Sequence, residues 1–418
     1  MKKDRHYDVI VIGGGASGLM AAGRAGELGK RVLILEKNER LGEKLKITGG
    51  GRCNVTNAEY DIHKLLAHYG KAKDFLFSPF SQFGVKDTFS FFEERGLPLV
   101  VEARNRAFPH TQKAHDVFRV MEKYAFASEN VFIQAMSPVT AAVMEDGRIT
   151  KVMTKTGQYS ADSYIFAVGG LSAPFTGSTG DGFRWLTKLG HTVNEPSPNV
   201  VPLKISDEWV HSLSGVSLSF MKITFSLNGK KSFSKTGKIL FTHFGLSGPL
   251  ILNSASEVAD LLKGGDVTCA IDMYPDTDLG SVEKQILKTF EENKNKAFKN
   301  VLPFVCPKGM APGVALFLPE EILETKVHSV SKEDRKMLAN LFKALPAHVD
   351  GLMGFDRAVI SDGGLPLDEV DTRTMKSKKV SNLYITGDLL HINRPSGGFS
   401  LQLCWTTGFV AGTAVAKK

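Results

Sequence analysis

The alternation of apolar and polar positions defines the first forty residues of the chain. Residues 8–12 form a short, mostly apolar run typical of a buried parallel strand, and residues 31–35 form a second. Gly29, a typical helix terminator, precedes the second run. Between the two runs, apolar residues recur at helical spacing, namely Leu19, Ala22, Ala25 and Leu28. The pattern predicts a strand, a helix and a strand, which together make one βαβ unit.

A glycine cluster joins the first strand of this unit to its helix. Gly13, Gly15 and Gly18 have the G-x-G-x-x-G spacing, and Glu36 stands at the end of the second strand. In this fingerprint the first glycine allows a tight turn, the second lets a pyrophosphate approach, and the third lets helix and strand pack closely. The helix N-terminus offers N–H groups and a positive dipole end to phosphates. Glu36 is expected to accept hydrogen bonds from a ribose, so the unit predicts a bound dinucleotide.

Further strands are predicted on either side of the middle of the chain. Residues 138–168 have the pattern of a β-meander, with Asp-Gly and Thr-Gly turns at 146–147 and 156–157. Near the C-terminus, residues 382–386 form another apolar strand, and a helix is expected over residues 401–416. These segments could complete the sheet that the βαβ unit begins.

The middle of the chain follows another pattern. A cluster of prolines at 196, 198 and 202 marks a boundary. Beyond it the sequence predicts strands and helices of an α+β domain, with Asn228-Gly229 as a hairpin turn. The predicted strands are 217–227, 238–242 and 266–273, and the predicted helices are 247–262, 279–298 and 331–344, the last capped by Ser331. The chain is expected to leave this domain near Pro346.

A second glycine-rich segment, residues 48–57, distinguishes between the dinucleotides FAD and NAD. It lies soon after the βαβ unit, where it lets the chain run beside an extended ligand, and a bare NAD domain has no use for it. Lys44 and Arg52 could balance the charge of the pyrophosphate.

The C-terminal region also indicates FAD. Gly387 and Asp388 follow the strand, and a strand-end carboxylate can bind the ribityl hydroxyls of a flavin. Gly397 and Gly398 precede the last helix, whose N-terminus can stabilise the negative charge that develops at the flavin N1/O2 edge. NAD has neither a ribityl chain nor this anionic edge, so the sequence predicts FAD.

Several motifs in order along the chain resemble the BaiN/YhiN-like flavoprotein family of NAD(P)/FAD-dependent oxidoreductases, which includes aminoacetone-oxidase-type proteins. The motifs are TGGGRCNVTN from residue 48, RAFPHTQKAHDV from 106, TGSTGDG from 176, LFTHFGLSGP from 240, TMKSK from 374 and PSGGFSLQLCWTTGFVAG from 395. Two features depart from the family pattern. Many members carry Gly-Glu where this chain has Gly387-Asp388, and the loop at 391–394 lacks the acidic residues expected there.

The resemblance, which extends to the FAD domain of glutathione-reductase-type proteins, implies an α/β fold. We expect a discontinuous, Rossmann-like FAD-binding domain with a β-meander, formed by residues 1–195 and 346–418, and an inserted α+β domain at 196–345. The residues expected to bind FAD are Gly13, Gly15, Ala16, Ser17, Gly18, Glu36, Lys37, Lys44, Thr48, Gly49, Gly50, Gly51, Arg52, Cys53, Asn54, Val139, Ala167, Gly169, Gly387, Asp388, Gly397, Gly398, Phe399 and Ser400.

Composition supports an ordinary globular protein. The 418 residues are 42% hydrophobic and 23% charged, which fits a chain able to bury its own core. The four cysteines lie far apart, which argues against a disulfide framework, and no His/Cys/Asp grouping has zinc-like spacing. The polar start MKKDRHYD has no signal-peptide pattern and no apolar run is long enough to span a bilayer, so we expect a cytoplasmic protein that does not contact membranes.

The charge is unevenly distributed. The net charge is +8, and residues 209–256 contain no acid but carry Lys222, Lys230, Lys231, Lys235 and Lys238. A solvated hairpin edge, protected by lysines from aggregation, explains this better than an anion-binding surface. Nucleic acid is therefore an unlikely partner by this criterion.

Few residues beyond the cofactor site suggest chemistry. His243 lies in a Gly/Ser-rich loop expected at a strand–helix junction, and its imidazole can act as acid or base near neutral pH, although a structural histidine fits equally well. His110 and His391 are weaker candidates. Arg394 could anchor an anionic substrate, but a surface arginine is the simpler interpretation. Cys53 is interpreted as a packing residue rather than a redox thiol, as is Cys404.

The leading hypothesis is an FAD-dependent oxidoreductase that transfers hydride through flavin N5 to or from a small organic substrate. No second dinucleotide fingerprint follows a strand in the insert, so NAD(P)H would have to bind without a dedicated domain, and oxygen is another candidate partner. Two alternatives remain open. One is a flavin-dependent RNA-modifying enzyme, suggested by the acid-free stretch, and the other is a flavin-bearing redox sensor or electron carrier.

Overall fold

A computed structural model describes residues 6–417 of the protein. Residues 1–5, which begin the polar start of the sequence, lie outside the described part, as does residue 418. The chain divides into two compact units. The first comprises Met1–Pro198 and Val359–Lys418, and the second comprises Asn199–Ala358.

The strands are numbered in chain order. Up to residue 199 they are β1 (His6–Ile12), β2 (Val32–Leu35), β3 (Thr56–Asn57), β4 (Leu99–Glu102), β5 (Arg106–Pro109), β6 (Val131–Gln134), β7 (Val139–Glu145), β8 (Arg148–Thr154), β9 (Gly157–Phe166) and β10 (Asn194–Asn199). The later strands are β11 (Leu203–Lys204), β12 (Ser217–Leu227), β13 (Lys230–Thr242), β14 (Gly245–Ser247), β15 (Val267–Asp272), β16 (Leu345–His348), β17 (Gly351–Leu352), β18 (Ile360–Gly364) and β19 (Leu383–Ile385).

The helices are numbered in the same way. They are α1 (Ala16–Glu27), α2 (Glu43–Ile47), α3 (Ile62–Ala67), α4 (Lys73–Gln82), α5 (Val85–Glu93), α6 (Ala114–Ala125), α7 (Asp181–Lys188), α8 (Glu208–Ser212), α9 (Pro249–Leu252), α10 (Ala255–Leu262), α11 (Leu279–Glu292), α12 (Phe298–Val305), α13 (Ala311–Ala315), α14 (Glu320–Glu324), α15 (Lys332–Lys343) and α16 (Phe399–Ala416). None of the helices within residues 6–417 is both long and apolar enough to cross a membrane.

A parallel sheet forms the centre of the first unit. Its strands lie in the order β6-β2-β1-β9, and β19 pairs in parallel with the end of β9. The start of β9 pairs instead with β8 of the antiparallel meander β7-β8-β9. The long strand β9 therefore joins the meander to the parallel sheet, and the predicted α/β class with a β-meander is confirmed.

Helices α1 and α16 pack closely against each other in the first unit. A Cβ added at Gly408 of α16 would stand 2.4 Å from Ser17 O of α1, and one added at Gly412 would stand 2.5 Å from Ala21 O. Only glycine fits at such a distance. Since α1 follows the first strand and α16 ends the chain, this contact brings the two halves of the discontinuous domain together.

The second unit contains an antiparallel sheet of seven strands in the order β16-β15-β12-β13-β14-β11-β17. Its central strands alternate buried and exposed residues, as the sequence pattern predicts for β12 and β15. The buried faces of the strands and helices α10, α11, α12 and α15 contribute to one hydrophobic core. The additional antiparallel domain is thus confirmed.

Several predicted boundaries differ from the observed ones. The segment 247–262 contains two helices rather than one, because the chain turns at Asn253. Ser247 belongs to β14 and not to a helix. The helix predicted over 279–298 ends at Glu292, and Asn293 caps its C-terminus through a hydrogen bond from its amide to Thr289 O. The predicted return to the first domain at residue 346 would cut β16, which pairs with β15, whereas the observed division falls at residue 358.

Candidate cofactor-binding site

The turn between β1 and α1 is built by two glycines that tolerate no side chain. Gly13 has φ +98°, and a Cβ there would stand 2.6 Å from Ala167 O, while a Cβ at Gly18 would stand 1.9 Å from Gly13 O. Gly15, by contrast, faces open space, with nothing within 4 Å of an added Cβ. The turn is therefore closed on the protein side and open where the fingerprint expects a pyrophosphate.

The first turn of α1 presents an electropositive surface. Its N–H groups have no partner within the helix, and no acidic residue of the first turn competes for them. Ala16 begins the helix, and Ser17 follows it with its hydroxyl accepting a hydrogen bond from Thr386 Oγ1 (3.1 Å). This donor set suits an anion such as a diphosphate.

Glu36 is held in place at the end of β2. Its carboxylate accepts hydrogen bonds from Gly14 N and Asn38 N, each at 2.8 Å, and the residue is buried. Each oxygen keeps a further lone pair for a ligand hydroxyl. Lys37, the neighbouring predicted ligand, donates instead to Thr179 Oγ1 (2.6 Å) and pairs with Asp181 (2.8 Å) at the start of α7.

The second glycine segment forms a tight turn of left-handed residues. Gly49, Gly50 and Gly51 have φ of +58°, +65° and +87°, and a Cβ at Gly50 or Gly51 would meet nothing within 4 Å. Thr48 fixes the entrance of the turn through a hydrogen bond from its hydroxyl to Leu45 O (2.7 Å). The turn presents bare backbone to its surroundings, as the sequence predicts for a segment beside an extended ligand.

Lys44 carries a partly buried ammonium group near the C-terminal half of the site. It donates to Ser172 Oγ (3.3 Å), and Nζ is 3.8 Å from the position of a Cβ on Gly169. Burial lowers the pKa of Lys44, and the opposing charge of Asp388 raises it. A partly buried cation with one neutral hydrogen-bond partner suits a bound anion, so Lys44 fits the predicted role in balancing a pyrophosphate.

Arg52 lies in a different environment. Its guanidinium pairs with Glu102, donates from Nε to Gln112 Oε1 (2.7 Å) and stacks 4.1 Å above the ring of Phe108. Arg52 therefore has protein partners of its own, and its role toward a pyrophosphate stays a prediction.

The residues at the two ends of the meander are those predicted to line one edge of the site. Ala167 N donates to Ile12 O (2.9 Å), which extends the pairing of β9 with β1, and Val139 begins β7 as a buried residue. Gly169 has φ +72°, and a Cβ there would stand 2.7 Å from Ser178 Oγ. The chain after β9 thus needs glycine where the resemblance places the FAD crevice.

The C-terminal carboxylate is part of a buried ion pair. Asp388 follows β19 and pairs with Arg394, whose guanidinium also donates to Ser400 Oγ (3.0 Å) and to Ile392 O (2.8 Å). Arg394 is only 2% exposed, so its interpretation as a surface arginine is wrong. This burial could not be predicted, because arginine is rarely buried unless it is paired and the pairing depends on the fold.

The start of α16 is fixed against β3. Gly398 has φ +100°, and a Cβ there would stand 2.2 Å from the carbonyl carbon of Thr56. With its amide oriented to suit its neighbours, Asn54 accepts a hydrogen bond from Gly398 N (2.9 Å). Gly397 has φ +129°, and the buried ring of Phe399 packs edge-on against Tyr69. The second glycine segment and the start of the last helix are therefore in direct contact.

The two ends of the predicted site meet in the first unit. Gly387, with φ +63°, lies so close to α1 that an added Cβ would be 3.2 Å from Ser17 Oγ. Its N–H donates to Thr407 Oγ1 of α16 (3.1 Å). The β1–α1 turn, the strand-end Asp388 and α16 are thus neighbours, as the sequence-based prediction of one extended dinucleotide expects.

The cysteines have no features of reactive thiols. Burial raises the pKa of Cys53 and of Cys404 to about 12, so both thiols are protonated at neutral pH. Cys53 is fully buried with φ +63°, at the end of the glycine turn. Cys53, a predicted FAD-binding residue, and Cys404, on α16, thus both lack the electrostatics of redox chemistry.

His243 belongs to the second unit and is exposed to solvent. It lies in the two-residue turn between β13 and β14, where its ring contacts Phe244. The predicted strand–helix junction is therefore wrong, because the short strand β14 separates this turn from the next helix. Its role as an acid or base stays a prediction.

Sequence reasoning missed two groups of polar residues beside the site. Gln402 is buried in α16 and accepts hydrogen bonds from Thr56 Oγ1 (2.6 Å) and Thr88 Oγ1 (2.9 Å). Arg104 and Arg106 surround the turn between β4 and β5. Gln402 lies in a helix without charged residues, a signal that could have marked it as a buried polar residue.

These features define a Rossmann-type flavoprotein with an inserted antiparallel domain. Residues 7–414 match the family model of the HI0933-like protein Rossmann domain, so the chain belongs to that family. The resemblance to BaiN/YhiN-type proteins is confirmed. The protein is an FAD-dependent oxidoreductase with FAD as its cofactor.

Curated relatives span the whole chain. A 3-dehydro-bile acid delta(4,6)-reductase of Clostridium scindens is 27% identical over 414 residues, covering 98% of each chain. A ribosomal RNA dihydrouridine synthase of Haemophilus influenzae is 26% identical over 419 residues, covering 99% of this chain and 100% of the relative. An Escherichia coli protein of the same name is 23% identical and is covered to 96%.

Solved structures share the fold. A 3-ketosteroid-delta4-(5alpha)-dehydrogenase of Rhodococcus jostii superposes with a TM-score of 0.54 at 14% identity, covering 99% of this chain and 98% of the other. The quinol fumarate reductase subunit FrdA of E. coli gives a TM-score of 0.54 at 13% identity, covering 99% of this chain and 70% of the other.

Proposed function

We propose that the protein is a flavin-dependent reductase that adds hydride to a carbon–carbon double bond conjugated with a carbonyl group, with NAD(P)H as the source of electrons. The names of the relatives share this reaction type. A Δ4,6-reductase saturates a double bond of an oxo-steroid, and a dihydrouridine synthase saturates the double bond of a uracil ring. Bound FAD, once reduced by NAD(P)H, would supply the hydride from its N5 atom.

The contact between α1 and the end of β19 supports the cofactor part of this proposal. Ser17 accepts from Thr386 and adjoins Gly387, so a dinucleotide with its phosphates at α1 has its other end near Asp388 and α16. We propose as ligands the FAD-binding residues predicted from the sequence. In this assignment Glu36 binds the ribose, Lys44 neutralises the pyrophosphate, and the start of α16 stabilises negative charge on the flavin.

The residues around Asp388 have a positioning role in this proposal. The Arg394 guanidinium fixes the carboxylate and also holds Ser400 in the first turn of α16. A carboxylate held in this way can accept hydrogen bonds from ribityl hydroxyl groups without a change of its own rotamer.

Anaerobic reduction and reoxidation of the purified flavoprotein test the proposal. The flavin absorbance near 450 nm should be lost on addition of NADH or NADPH. It should return on addition of a 3-oxo-4-ene steroid or a small cyclic enone, with a product two mass units heavier. A flavin that is reoxidised by oxygen but by no conjugated enone or uracil compound contradicts the proposed reaction.

His243 is the proposed proton donor for this reaction. The variant His243→Ala should lower kcat by about a hundredfold, the usual contribution of a general acid, while FAD content stays unchanged. His328→Ala, at another exposed histidine of the second unit, is the matched control. Equal kcat values for the two variants would remove His243 from the mechanism.

A uracil base in RNA is the second candidate substrate, and the charge of the β12–β13 hairpin favours it. Lys230, Lys231 and Lys238 are exposed, and Lys235 pairs with Glu257, which lies outside the acid-free stretch. Strand β13 pairs with β14 only at Leu240–Thr242, so the lysines also suit the protected sheet edge expected from the sequence. Binding of ribosomal RNA that weakens steeply with salt, together with dihydrouridine in the product, would support this candidate.

A further inference from the structure

Three arginines come from the second glycine segment and the adjoining β4–β5 turn of the first unit. Arg52 lies in that segment, Arg104 lies in the turn between β4 and β5, and Arg106 begins β5. We refer to these three residues as the arginine face. The ring of Phe108 supports it, with the guanidinium carbons of Arg52 and Arg106 at 4.1 and 5.7 Å from the ring centroid.

The arginine face carries an excess of positive charge. Glu102 pairs with Arg52. Arg106 donates from Nε to Ala103 O (3.1 Å), which leaves its terminal nitrogens available. Arg104 is exposed and has no carboxylate within ion-pair distance among residues 6–417. One of the three guanidinium groups is thus paired with a carboxylate, and the positive charge of the other two suits a ligand with two or more negative charges.

The turn that carries Arg104 is held in an unusual conformation. Arg104 and Asn105 are consecutive residues with φ of +63° and +56°, a region that side-chain-bearing residues rarely adopt. The turn is fixed by hydrogen bonds from Asn57 Nδ2 to Arg104 O (3.2 Å) and from Ala58 N to Asn105 O (2.6 Å). Such strain persists where the surrounding structure enforces it, and it is frequent at ligand-binding sites.

The arginine face adjoins the start of α16. The amide of Asn57 that holds Arg104 also donates to Gly397 O (3.1 Å). Strand β3, which contains Asn57, also lies against Gly398. A ligand bound to the arginine face is therefore close to the helix end that the proposed function assigns to the flavin, and the inference below rests on that assignment.

A Rossmann-type cradle for a dinucleotide needs a parallel βαβ unit. In the described sheet of the second unit the paired strands are antiparallel, so this sheet forms no such cradle, and in the first unit β1, α1 and β2 are assigned to FAD. A nicotinamide dinucleotide bound outside such a cradle can have its phosphates held by side-chain cations.

We propose that Arg104 and Arg106 of the arginine face bind the phosphates of the nicotinamide dinucleotide that reduces the flavin. The dihydronicotinamide gives up a hydride and becomes the oxidised nicotinamide. That hydride, with one proton from water, converts FAD to FADH2, so electrons and protons balance. Arginine is suited to this task because its planar fork binds phosphate oxygens in pairs.

Substitution in the FAD-loaded protein tests the inference. Arg104→Gln and Arg106→Gln should each weaken NADP+ binding, measured by equilibrium dialysis, by about tenfold, and binding to the wild type should weaken with added salt. Arg104→Lys, which keeps the charge, should restore part of the affinity. FAD content and bleaching by dithionite should stay unchanged. Arg119→Gln, at an exposed arginine of α6, should match the wild type.

Three results overturn the inference. The first is wild-type NADP+ affinity in both glutamine variants, and the second is an equal loss in Arg119→Gln. The third is a wild-type flavin that dithionite bleaches but neither NADH nor NADPH reduces, a result that leaves the FAD site intact. A protein that cannot be loaded with FAD overturns the proposed function as well, and this separates the two failures.

Discussion

Gly408 lies where α16 crosses α1, and its replacement by alanine tests whether this helix pair holds the two ends of the site together. The added Cβ would stand 2.4 Å from Ser17 O and 3.1 Å from Met20 Cβ. Because Cβ atoms essentially never approach other heavy atoms within 3.0 Å, the backbone of α1 would have to move by more than half an ångström. Ser17 belongs to the turn assigned to the pyrophosphate, so the strain reaches the cofactor site directly.

The expected size of the effect follows from two opposing contributions. Overpacking of a tight core costs about 1–3 kcal/mol, and the better helix propensity of alanine offsets up to about 1 kcal/mol. We expect a net loss of about 1–2 kcal/mol in the free energy of unfolding, which lowers Tm by about 2–8 °C in a domain of this size. The Kd for FAD should rise about tenfold, since tenfold corresponds to about 1.4 kcal/mol.

Thermal unfolding followed by circular dichroism, with and without FAD, measures the first effect, and titration of the apoprotein with FAD measures the second. Gly280→Ala is the control, because this helix position lies in α11 of the second unit and the nearest atom to its Cβ would be Asp278 Oδ1 at 3.2 Å. The control should leave FAD affinity unchanged. A Gly408→Ala variant with wild-type Tm and wild-type FAD affinity would refute the packing argument.

Four further predictions concern the side chains of Glu36, Lys44 and the cysteines. Glu36→Gln loses one of two acceptor oxygens now bonded to Gly14 N and Asn38 N, so the Kd for FAD should rise by about ten- to a hundredfold in a fluorescence titration, and an unchanged Kd would argue against the ribose role. Lys44→Met removes an ammonium group whose charged form is disfavoured by burial, so the apoprotein should become more stable in urea while its affinity for FAD falls. A loss of both stability and FAD affinity would indicate a purely structural lysine. Because burial lowers the pKa of Lys44 in the folded state, the wild-type apoprotein should gain stability as pH rises from that lowered pKa toward 10.5, and the variant should not. Burial raises the pKa of each of the four cysteines to about 12, so thiol reagents at pH 8 should label the native protein slowly and the denatured protein fast, and rapid labelling of one native thiol would contradict this.

The local features of the cofactor domain could be predicted because each depends on residues close in sequence. The strand, glycine turn and helix around Gly13 follow from periodicity and from the φ values that glycine alone adopts freely. The hairpin at Asn228-Gly229 and the cap at Ser331 are likewise local. The predicted helix boundaries near Ser247 and Glu292 were wrong. Pairing with β13 places Ser247 in a strand, and an asparagine cap ends the helix at Glu292.

The side-chain environment of the site could not be predicted, because it depends on residues distant in sequence. The buried pairing of Arg394 with Asp388 and the stacking of Arg52 on Phe108 require the folded arrangement of several loops. No local sequence pattern predicted the left-handed conformation of Arg104. The turn is held by hydrogen bonds from Asn57 to Arg104 O and from Ala58 N to Asn105 O. Sequence patterns identify backbone requirements better than they identify the partners of charged side chains.

A crystal structure of the protein with its flavin bound tests the central claim most directly. We predict one FAD per chain, with its diphosphate at the N-terminus of α1 near Gly15 and its ring system at the N-terminus of α16. Separate ligands at the two helix ends, or an FAD whose ring lies away from α16, would contradict the account.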